Sequence, residues 1–437
     1  MASELQRVPV LIVGGGLAGL AASVFLTRHG VRSVLVERRP GVRPPGGGSG
    51  IDQRTMEICR ALGLEEEIRG TVRRGASPGP GWWPDLCPCD VHEGDRHAVE
   101  PVLLEAARRP GAVIRFGAEL VSIATDSAGA DAALFDRATG RTDVVRADYV
   151  IAAEGAGGRV AGSLLVRPPG RTAAPGNEAR YAGEPISAPR RAGTRRYLSG
   201  TAETFRIGRV FLVGDSARWW PGADALGAGL AVQEAHNLAW KLAGVIQGWA
   251  GSGLLDSYEA ERRPVALELE KRWVPGSARM PSDEAEDQVL TLGQQYPAGA
   301  LVGNRPDSVF EDRFSVRARP GTRAPHLWLE RAGSRLSSHD LFDGSFVLLA
   351  GSDGAEWTAA ARRVARRTSV PLRAYRLGRG PAETELKDLD GWGSARYPIG
   401  DGGAVLIRPD GYVGWLTETA PASPELALAG VLGELLR

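Results

Sequence analysis

The sequence predicts an α/β fold that opens with a Rossmann-like nucleotide-binding domain. Three observations support this. An apolar run at residues 10–13 is typical of a buried parallel strand, and a glycine-rich turn follows it. A helix from residue 17 to about 29 comes next, and a second apolar strand at 33–36 ends at Glu37. Strand, turn, helix and strand in this order form a βαβ unit, and a short middle β region and a C-terminal α/β region complete the predicted fold.

The turn carries the pattern G-x-G-x-x-G, formed by Gly14, Gly16 and Gly19. The first glycine permits the tight turn, the second lets the backbone approach a pyrophosphate, and the third lets helix and strand pack closely. Glu37 can accept hydrogen bonds from a ribose 2′-hydroxyl. A packing turn without a ligand is the alternative. The position between strand and helix, with an acid at the expected distance, favours an ADP-containing dinucleotide site.

Composition and charge exclude several classes of function. The 437 residues are enough for two or three domains, and a net charge of +1 gives no case for nucleic acid. No apolar run is long enough to span a membrane, and residues 1–7 lead directly into the first strand, so we expect neither a membrane helix nor a signal peptide.

The three cysteines, Cys59, Cys87 and Cys89, are an odd and sparse set that suits a reducing cytoplasm. Cys87 and Cys89 could bind a metal or form a redox pair, but no second pair stands at zinc spacing, so loop cysteines and no metal site are expected.

The chain divides into five predicted segments. Residues 1–155 form the first part of the nucleotide-binding domain, with helices at 53–64 and 99–109, a meander of strands within 113–146, and a buried strand at 149–153. Residues 156–207 are rich in Gly, Pro, Ala and Arg and show no strand series. Residues 208–274 return to a buried strand ending at Asp215, followed by a turn and helices at 229–249 and 254–272. A linker at 275–324 precedes a region at 325–437 that follows the order β-α-β, then a hairpin at 404–416, then a helix.

Three separated segments together resemble the flavin-dependent aromatic hydroxylases. These are VGGGLAGL with Glu37, GRVFLVGDSA at 208–217, and AVQEAHNLAWKL with LLDSYEAERRPVA at 231–242 and 254–266. The resemblance is closest to the bacterial class that oxygenates aromatic polyketides. That class carries a thioredoxin-like third domain without redox cysteines, and residues 325–437 are similar to it and contain no cysteine.

The resemblance implies an FAD site and a set of contacts. Gly14, Gly16 and Gly19 would hold the pyrophosphate, Glu37 the adenosine ribose, and Asp215 the ribityl or pyrophosphate region. An acid at the carboxyl end of a strand also points into the ligand crevice of such a sheet. A turn at 221–230 would offer backbone N–H groups to the pyrimidine edge of the flavin. The remaining implied cofactor contacts are Arg38, Arg96, Pro221, Gly227, Gly229 and Leu230. Trp219 and Trp220 are either core residues or the wall of an aromatic pocket, and His236 is expected to be structural.

The departures from the family pattern leave the function open. Glu154 replaces an Asp, Arg218 a His and Gly229 an Asn, while an Arg of the first loop gives way to glycines at 46–48. Residues 156–207 are too few to supply the substrate domain, which must shield the reaction from water. We expect an FAD-dependent monooxygenase of an aromatic polyketide, with NAD(P)H as transient reductant and a homodimer or partner subunit closing the site. The alternatives are a non-oxygenating enzyme on the same fold (an oxidase, a dehydrogenase, or a catalyst of rearrangement or cyclisation) and a non-catalytic partner protein.

Overall fold

The computed structural model describes residues 6–43, 51–71, 73–74, 89, 92–93, 96–108, 112–156, 158–160, 164, 200–220, 224–272, 284–311, 316–378, 384–391 and 393–437. The predicted loop glycines at 46–48, Cys87, Pro221 and most of 156–207 lie outside these residues.

The nucleotide-binding domain is built on a parallel sheet with β1 at its centre. Its first elements are β1 (Gln6–Val13), α1 (Leu17–Arg28), β2 (Ser33–Glu37), α2 (Gln53–Ala61), α3 (Glu65–Arg69), β3 (Arg73–Arg74), β4 (His92–Glu93), α4 (Arg96–Ala107) and β5 (Ala112–Phe116). Every residue of β2 is buried, as expected for an inner strand covered on both faces. The predicted βαβ unit is therefore confirmed.

The rest of the domain follows as β6 (Ala118–Thr125), β7 (Ala130–Asp136), β8 (Thr142–Ala152), β9 (Gly200–Thr201), β10 (Arg206–Ile207), β11 (Val210–Leu212), β12 (Arg218–Trp219), α5 (Asp224–Gln247), α6 (Asp256–Arg272) and α7 (Glu284–Leu292). The main path of the sheet runs β10-β11-β8-β1-β2-β5, and β7 joins it by pairing with β8. The carboxyl ends of β1, β2, β8 and β11 therefore meet at one edge. Ligands of such sheets bind at this edge.

The largest differences from the predicted elements of this domain lie in β8 and α5. The strands expected at 142–146 and 149–153 are one strand, β8, because Val145 to Ala147 pair with β7 on one side and β1 on the other. A turn there would break both ladders. The long helix expected from residue 229 begins at Asp224, since Ala225 and Leu226 favour helix and extend it toward the strand edge.

The described residues of the segment expected to be a linker, 284–311 and 316–324, pack against the rest of the protein. It contains α7, and its residues Tyr296, Leu301 and Phe310 belong to the main hydrophobic core. Tyr296 stacks on Tyr412 of the C-terminal region, with ring centroids 4.2 Å apart. The sequence of this segment did not predict its burial, because its apolar residues follow neither the helical nor the strand period.

The C-terminal domain is a sheet flanked by helices. Its elements are β13 (Trp328–Arg331), β14 (Ser334–Ser337), β15 (Phe346–Ala350), α8 (Ala355–Thr368), β16 (Leu372–Gly378), β17 (Leu386–Asp388), α9 (Gly393–Arg396), β18 (Ala404–Ile407), β19 (Val413–Thr417) and α10 (Pro424–Leu435). The strand order is β14-β13-β17-β16-β15-β18-β19, with β15 parallel to β16 and antiparallel to β18. The thioredoxin-like order of β-α-β, hairpin and helix is thus present, and β13, β14 and β17 extend it.

A buried polar cluster, which we call the interdomain cluster, joins the two domains. Its members are Asn237, Lys241, Glu261, Arg408 and Asp410. Arg408 donates to both oxygens of Glu261 at 2.8 Å, and Lys241 Nζ donates to Glu261 Oε2 at 2.7 Å. Burial would raise the pKa of Glu261, but the charges of Arg408 and Lys241 hold it below its usual value. Because the ions are fully paired, this cluster fixes the C-terminal domain against α5 and α6.

Candidate cofactor site

Two glycines of the first turn are required by close backbone contacts. Gly14 has φ +111°, and a Cβ there would lie 2.2 Å from the Ala153 carbonyl oxygen at the end of β8. A Cβ at Gly19 would lie 1.9 Å from the carbonyl oxygen of Gly14. Any side chain at either position would separate α1 from the sheet. These two glycines therefore set the turn.

Gly16 leaves open space where the other two do not. It is the N-cap of α1, has φ −86°, and makes no side-chain capping bond. The nearest atom to a Cβ at Gly16 would be Glu100 Oε1 at 3.9 Å. The first N–H groups of a helix have no partner within the helix, so the start of α1 presents donors and partial positive charge to this space. That arrangement fits a pyrophosphate.

Glu37 lies at the end of β2 with its carboxylate against the turn. Its Oε2 accepts from the Gly15 N–H at 2.6 Å, and its Oε1 accepts from the Arg39 N–H at 2.9 Å. Burial would raise the pKa of Glu37, but the hydrogen bonds from Arg39 and Gly15 lower it. The Arg39 side chain also donates to both oxygens, from Nε to Oε1 at 2.9 Å and from Nη2 to Oε2 at 3.2 Å. The carboxylate is therefore ionised and its acceptor sites are occupied, so a ribose hydroxyl would have to replace one of the Arg39 bonds, and the role of Glu37 stays a prediction.

The other basic residues implied at this site are less well placed. Arg38 is exposed and stands near Glu154 and Glu119. Arg96 is the first residue of α4, and its side chain lies outside the described atoms. Roles for Arg38 and Arg96 stay predictions.

Asp215 lies beyond the end of β11, at the same sheet edge as the glycine turn. Its side chain is half-buried, and it makes no hydrogen bond or ion pair with any residue in the described part of the chain. Its neighbour Ser216 accepts from the Gly155 N–H at 3.1 Å, which ties this turn to the end of β8. A free carboxylate beside the glycine turn is suited to a ribityl or ribose hydroxyl.

A buried ion pair that the sequence analysis did not predict holds the turn at Asp215 in place. Arg218 Nε donates to Glu234 Oε1 at 2.9 Å, and Glu234 Oε2 accepts from the Gly214 N–H at 2.7 Å. Arg218 Nη2 also donates to the Gly227 carbonyl oxygen at 3.0 Å. The pair thus joins the end of β11 to the first turn of α5. The signal in the sequence was an acid, Glu234, in an apolar helix, together with Arg218 in place of a His.

The flavin-edge turn expected at 221–230 is mostly helix, which corrects that prediction. Gly227 is the fourth residue of α5, so its N–H is the first that bonds within the helix, and Gly229 and Leu230 lie further in. The N–H groups of Gly229 and Leu230 bond within the helix and are not available to a ligand. The free donors at this edge are therefore the N–H groups of residues 224–226.

The two tryptophans of the predicted aromatic pocket, Trp219 and Trp220, differ in burial. Trp220 is buried in the main core, with the Arg218 guanidinium 5.3 Å from its ring centre, whereas Trp219 is half-buried in the short pair of strands β9 and β12. The His236 ring lies against the Phe25 ring, with centroids 4.8 Å apart and the planes tilted by 40°, and burial lowers the pKa of His236 to about 3. Within the described residues no cluster of His, Cys, Asp or Glu could hold a metal ion. No described helix has the length and apolar character needed to cross a membrane.

Comparison with known proteins identifies the family. The FAD binding domain family matches residues 7–179 and 186–272, and the C-terminal domain of the aromatic-ring hydroxylases matches residues 317–435. The chain belongs to the FAD-dependent aromatic-ring hydroxylases. It is therefore a flavoprotein monooxygenase with FAD as its cofactor, as the motifs predicted.

Individual relatives match this aromatic-ring hydroxylase from end to end. Tetracenomycin B2 monooxygenase-dioxygenase of Streptomyces olivaceus is 33% identical over 540 aligned residues, which cover 98% of this chain and 99% of the relative. The structure of aklavinone-11 hydroxylase with FAD and aklavinone superposes with a TM-score of 0.83 at 30% identity, covering 99% and 100% of the two chains. The flavin-dependent monooxygenase PieE, solved with FAD and substrate, gives a TM-score of 0.83 at 27% identity and covers 100% of both chains.

The aligned length also bears on the middle of the chain. The alignment with the tetracenomycin enzyme spans 540 positions, whereas this hydroxylase has 437 residues. At least about 100 positions of that alignment therefore face gaps in this chain. This agrees with the short segment at 156–207.

Proposed function

We propose that this hydroxylase acts on an aromatic polyketide in natural-product biosynthesis. The observation that carries the proposal is its end-to-end similarity to a tetracenomycin monooxygenase and to a hydroxylase solved with aklavinone. The names of those two proteins give the compounds tetracenomycin B2 and aklavinone. A planar, electron-rich phenolic ring system is the corresponding substrate class for this chain.

The residues at the sheet edge fit FAD on the geometry alone. A dinucleotide would fill the open space above Gly16. It would also accept hydrogen bonds from the N–H groups at the start of α1 and donate one to the carboxylate of Asp215. In the proposal Gly14, Gly16 and Gly19 shape the pyrophosphate loop and Glu37 binds the ribose. Bound FAD, reduced transiently by NAD(P)H, supplies the activated oxygen that enters the ring. The protein's part is to orient the two partners and to exclude water.

Water exclusion is the step that the short middle segment puts at risk. The proposal therefore includes a second subunit, either another copy of this chain or a partner protein, that covers the flavin. The sparse cysteines support a cytoplasmic location for this assembly. Size-exclusion chromatography with light scattering, with and without FAD, measures whether a second subunit is present.

The direct test measures oxygen consumption by the purified FAD-loaded protein with NADPH. A planar phenolic polyketide should increase the rate of NADPH oxidation and should be converted to a product that is one oxygen atom heavier. Added catalase measures the fraction of oxygen lost as hydrogen peroxide. Oxygen uptake that yields only hydrogen peroxide with every polyketide tested would contradict hydroxylation. Conversion of the polyketide without oxygen uptake would support the non-oxygenating alternative.

A further inference from the structure

Asp52 has one carboxylate oxygen that the protein uses and one that it does not. Its Oδ1 accepts from the Thr55 N–H at 2.6 Å and so caps the start of α2. Its Oδ2 is buried and has no hydrogen-bond partner in the described part of the chain. Buried carboxylate oxygens are rarely left in this state, because their desolvation is costly.

The unused oxygen lies directly against α5. A Cβ at Gly229 would be 1.7 Å from Asp52 Oδ2 and 2.7 Å from its Cγ. No residue larger than glycine fits at position 229 while Asp52 keeps this place. Gly229 is one turn from the free N–H groups at 224–226, so Asp52 stands beside the start of the helix that edges the site.

The groups around Asp52 do not neutralise it. Arg54 donates to Glu57 at 3.0 Å and to the Asp410 carbonyl oxygen at 2.7 Å. Burial raises the pKa of Asp52, against the lowering effects of the Thr55 hydrogen bonds and the Arg54 charge. The Glu57 and Cys59 side chains are the other titratable groups on α2 that interact with Asp52. The next turn of α5 adds Gln233, which is 5% exposed and has no partner for either amide atom in the described chain.

We propose that Asp52 belongs to the flavin site and, by placing a carboxylate at the start of α5, lowers the affinity for reduced FAD relative to oxidised FAD. Two-electron reduction adds negative charge to the flavin ring. The free donors of α5 favour that charge and the Asp52 carboxylate opposes it. Glycine at 229 is then required to admit this side chain. The inference rests on the proposed placement of the flavin ring at this helix start.

The test removes the negative charge of Asp52 and keeps the hydrogen bond that caps the start of α2. Asp52→Asn and Asp52→Ser both retain an acceptor for the Thr55 N–H. The matched control is Asp136→Asn, because Asp136 also accepts bonds from backbone N–H groups, those of Ala138 and Thr139, but is the last residue of β7. The affinity for oxidised FAD is measured by flavin fluorescence, and the midpoint potential by equilibration with a reference dye.

Both Asp52 variants should raise the ratio of reduced to oxidised FAD affinity about tenfold, which corresponds to about 30 mV in the potential of a two-electron couple. The control should leave both quantities unchanged. An unchanged or lower potential in FAD-loaded Asp52 variants would overturn the inference. Failure of the unmodified protein to bind FAD would instead overturn the proposed function.

A second readout needs no cofactor. Gly229→Ala should lower the melting temperature of the apoprotein more in the unmodified background than in Asp52→Ser, because the shorter side chain relieves the clash. Equal losses in the two backgrounds would show that Asp52 does not occupy the place described, and would overturn the inference.

Discussion

Gly16→Ala separates ligand binding from folding more sharply than any other change in the glycine turn. At this position φ is −86°, and the nearest atom to the new Cβ is 3.9 Å away, so the apoprotein should tolerate it. We expect a change of less than about 0.5 kcal/mol in the free energy of unfolding, as for an ordinary surface substitution. The methyl group would nevertheless occupy the space above the start of α1, where the pyrophosphate is proposed to lie.

The expected loss in affinity follows from the bonds that the methyl group displaces. Loss of two hydrogen bonds from the turn to a charged phosphate, at about 1.5 kcal/mol each, amounts to about 3 kcal/mol. The dissociation constant of FAD should therefore rise on the order of a hundredfold. Titration of apoprotein with FAD by fluorescence quenching measures this, and urea unfolding of the same samples measures stability.

Two neighbouring glycines serve as controls for this variant. Gly41→Ala places a Cβ with nothing within 4 Å and should change neither quantity. Gly19→Ala should destabilise the apoprotein itself, because its Cβ would lie 1.9 Å from the Gly14 carbonyl oxygen. If Gly16→Ala binds FAD as tightly as the unmodified protein, the pyrophosphate does not lie at this turn.

The remaining predictions concern the buried ion pairs. Arg218→Met leaves Glu234 without its ion-pair partner and should lower the free energy of unfolding of the apoprotein by about 3 kcal/mol. Arg218→Lys keeps the positive charge and should recover part of this loss. Equal losses in the two variants would contradict a role for the charge. Glu57→Gln should also cost about 3 kcal/mol at pH 7, because it removes the buried negative charge that the Arg323 and Arg54 guanidinium groups contact. Burial would raise the pKa of Glu57, but the charges of Arg323 and His339 and the hydrogen bonds from both side chains hold it well below its ordinary value. Its contribution is therefore complete above about pH 4.5 and is lost as the pH falls through the folded-state value, so the difference between Glu57→Gln and the unmodified protein should shrink in acid. A difference that stays constant from pH 7 to pH 3 in urea unfolding would contradict this assignment.

The parts of the fold predictable from sequence are those set by local pattern. The unit from β1 to β2 follows from apolar runs and glycine spacing, and Asp215 could be placed at a strand end because the preceding residues of β11 are uniformly apolar. The hairpin of β18 and β19 was likewise visible from its Pro-Asp-Gly turn. In each case neighbouring residues alone determine the backbone.

What the sequence could not show depends on residues far apart in the chain. Nothing near Asp148 indicates that β8 runs without a break, because the pairing that holds it straight comes from β1 and β7. The contact of Asp52 with Gly229 and the pair of Arg218 with Glu234 are likewise tertiary. Propensity and periodicity do not report such contacts.

The measurement that tests the central claim most directly is the fate of molecular oxygen in one reaction. The FAD-loaded protein is mixed with NADPH and a planar phenolic polyketide under ¹⁸O₂, and the product is examined by mass spectrometry while hydrogen peroxide is quantified. A hydroxylase should give a product that carries one ¹⁸O atom, in a yield that exceeds the yield of peroxide. A product without label, or peroxide as the sole fate of the oxygen, would contradict it.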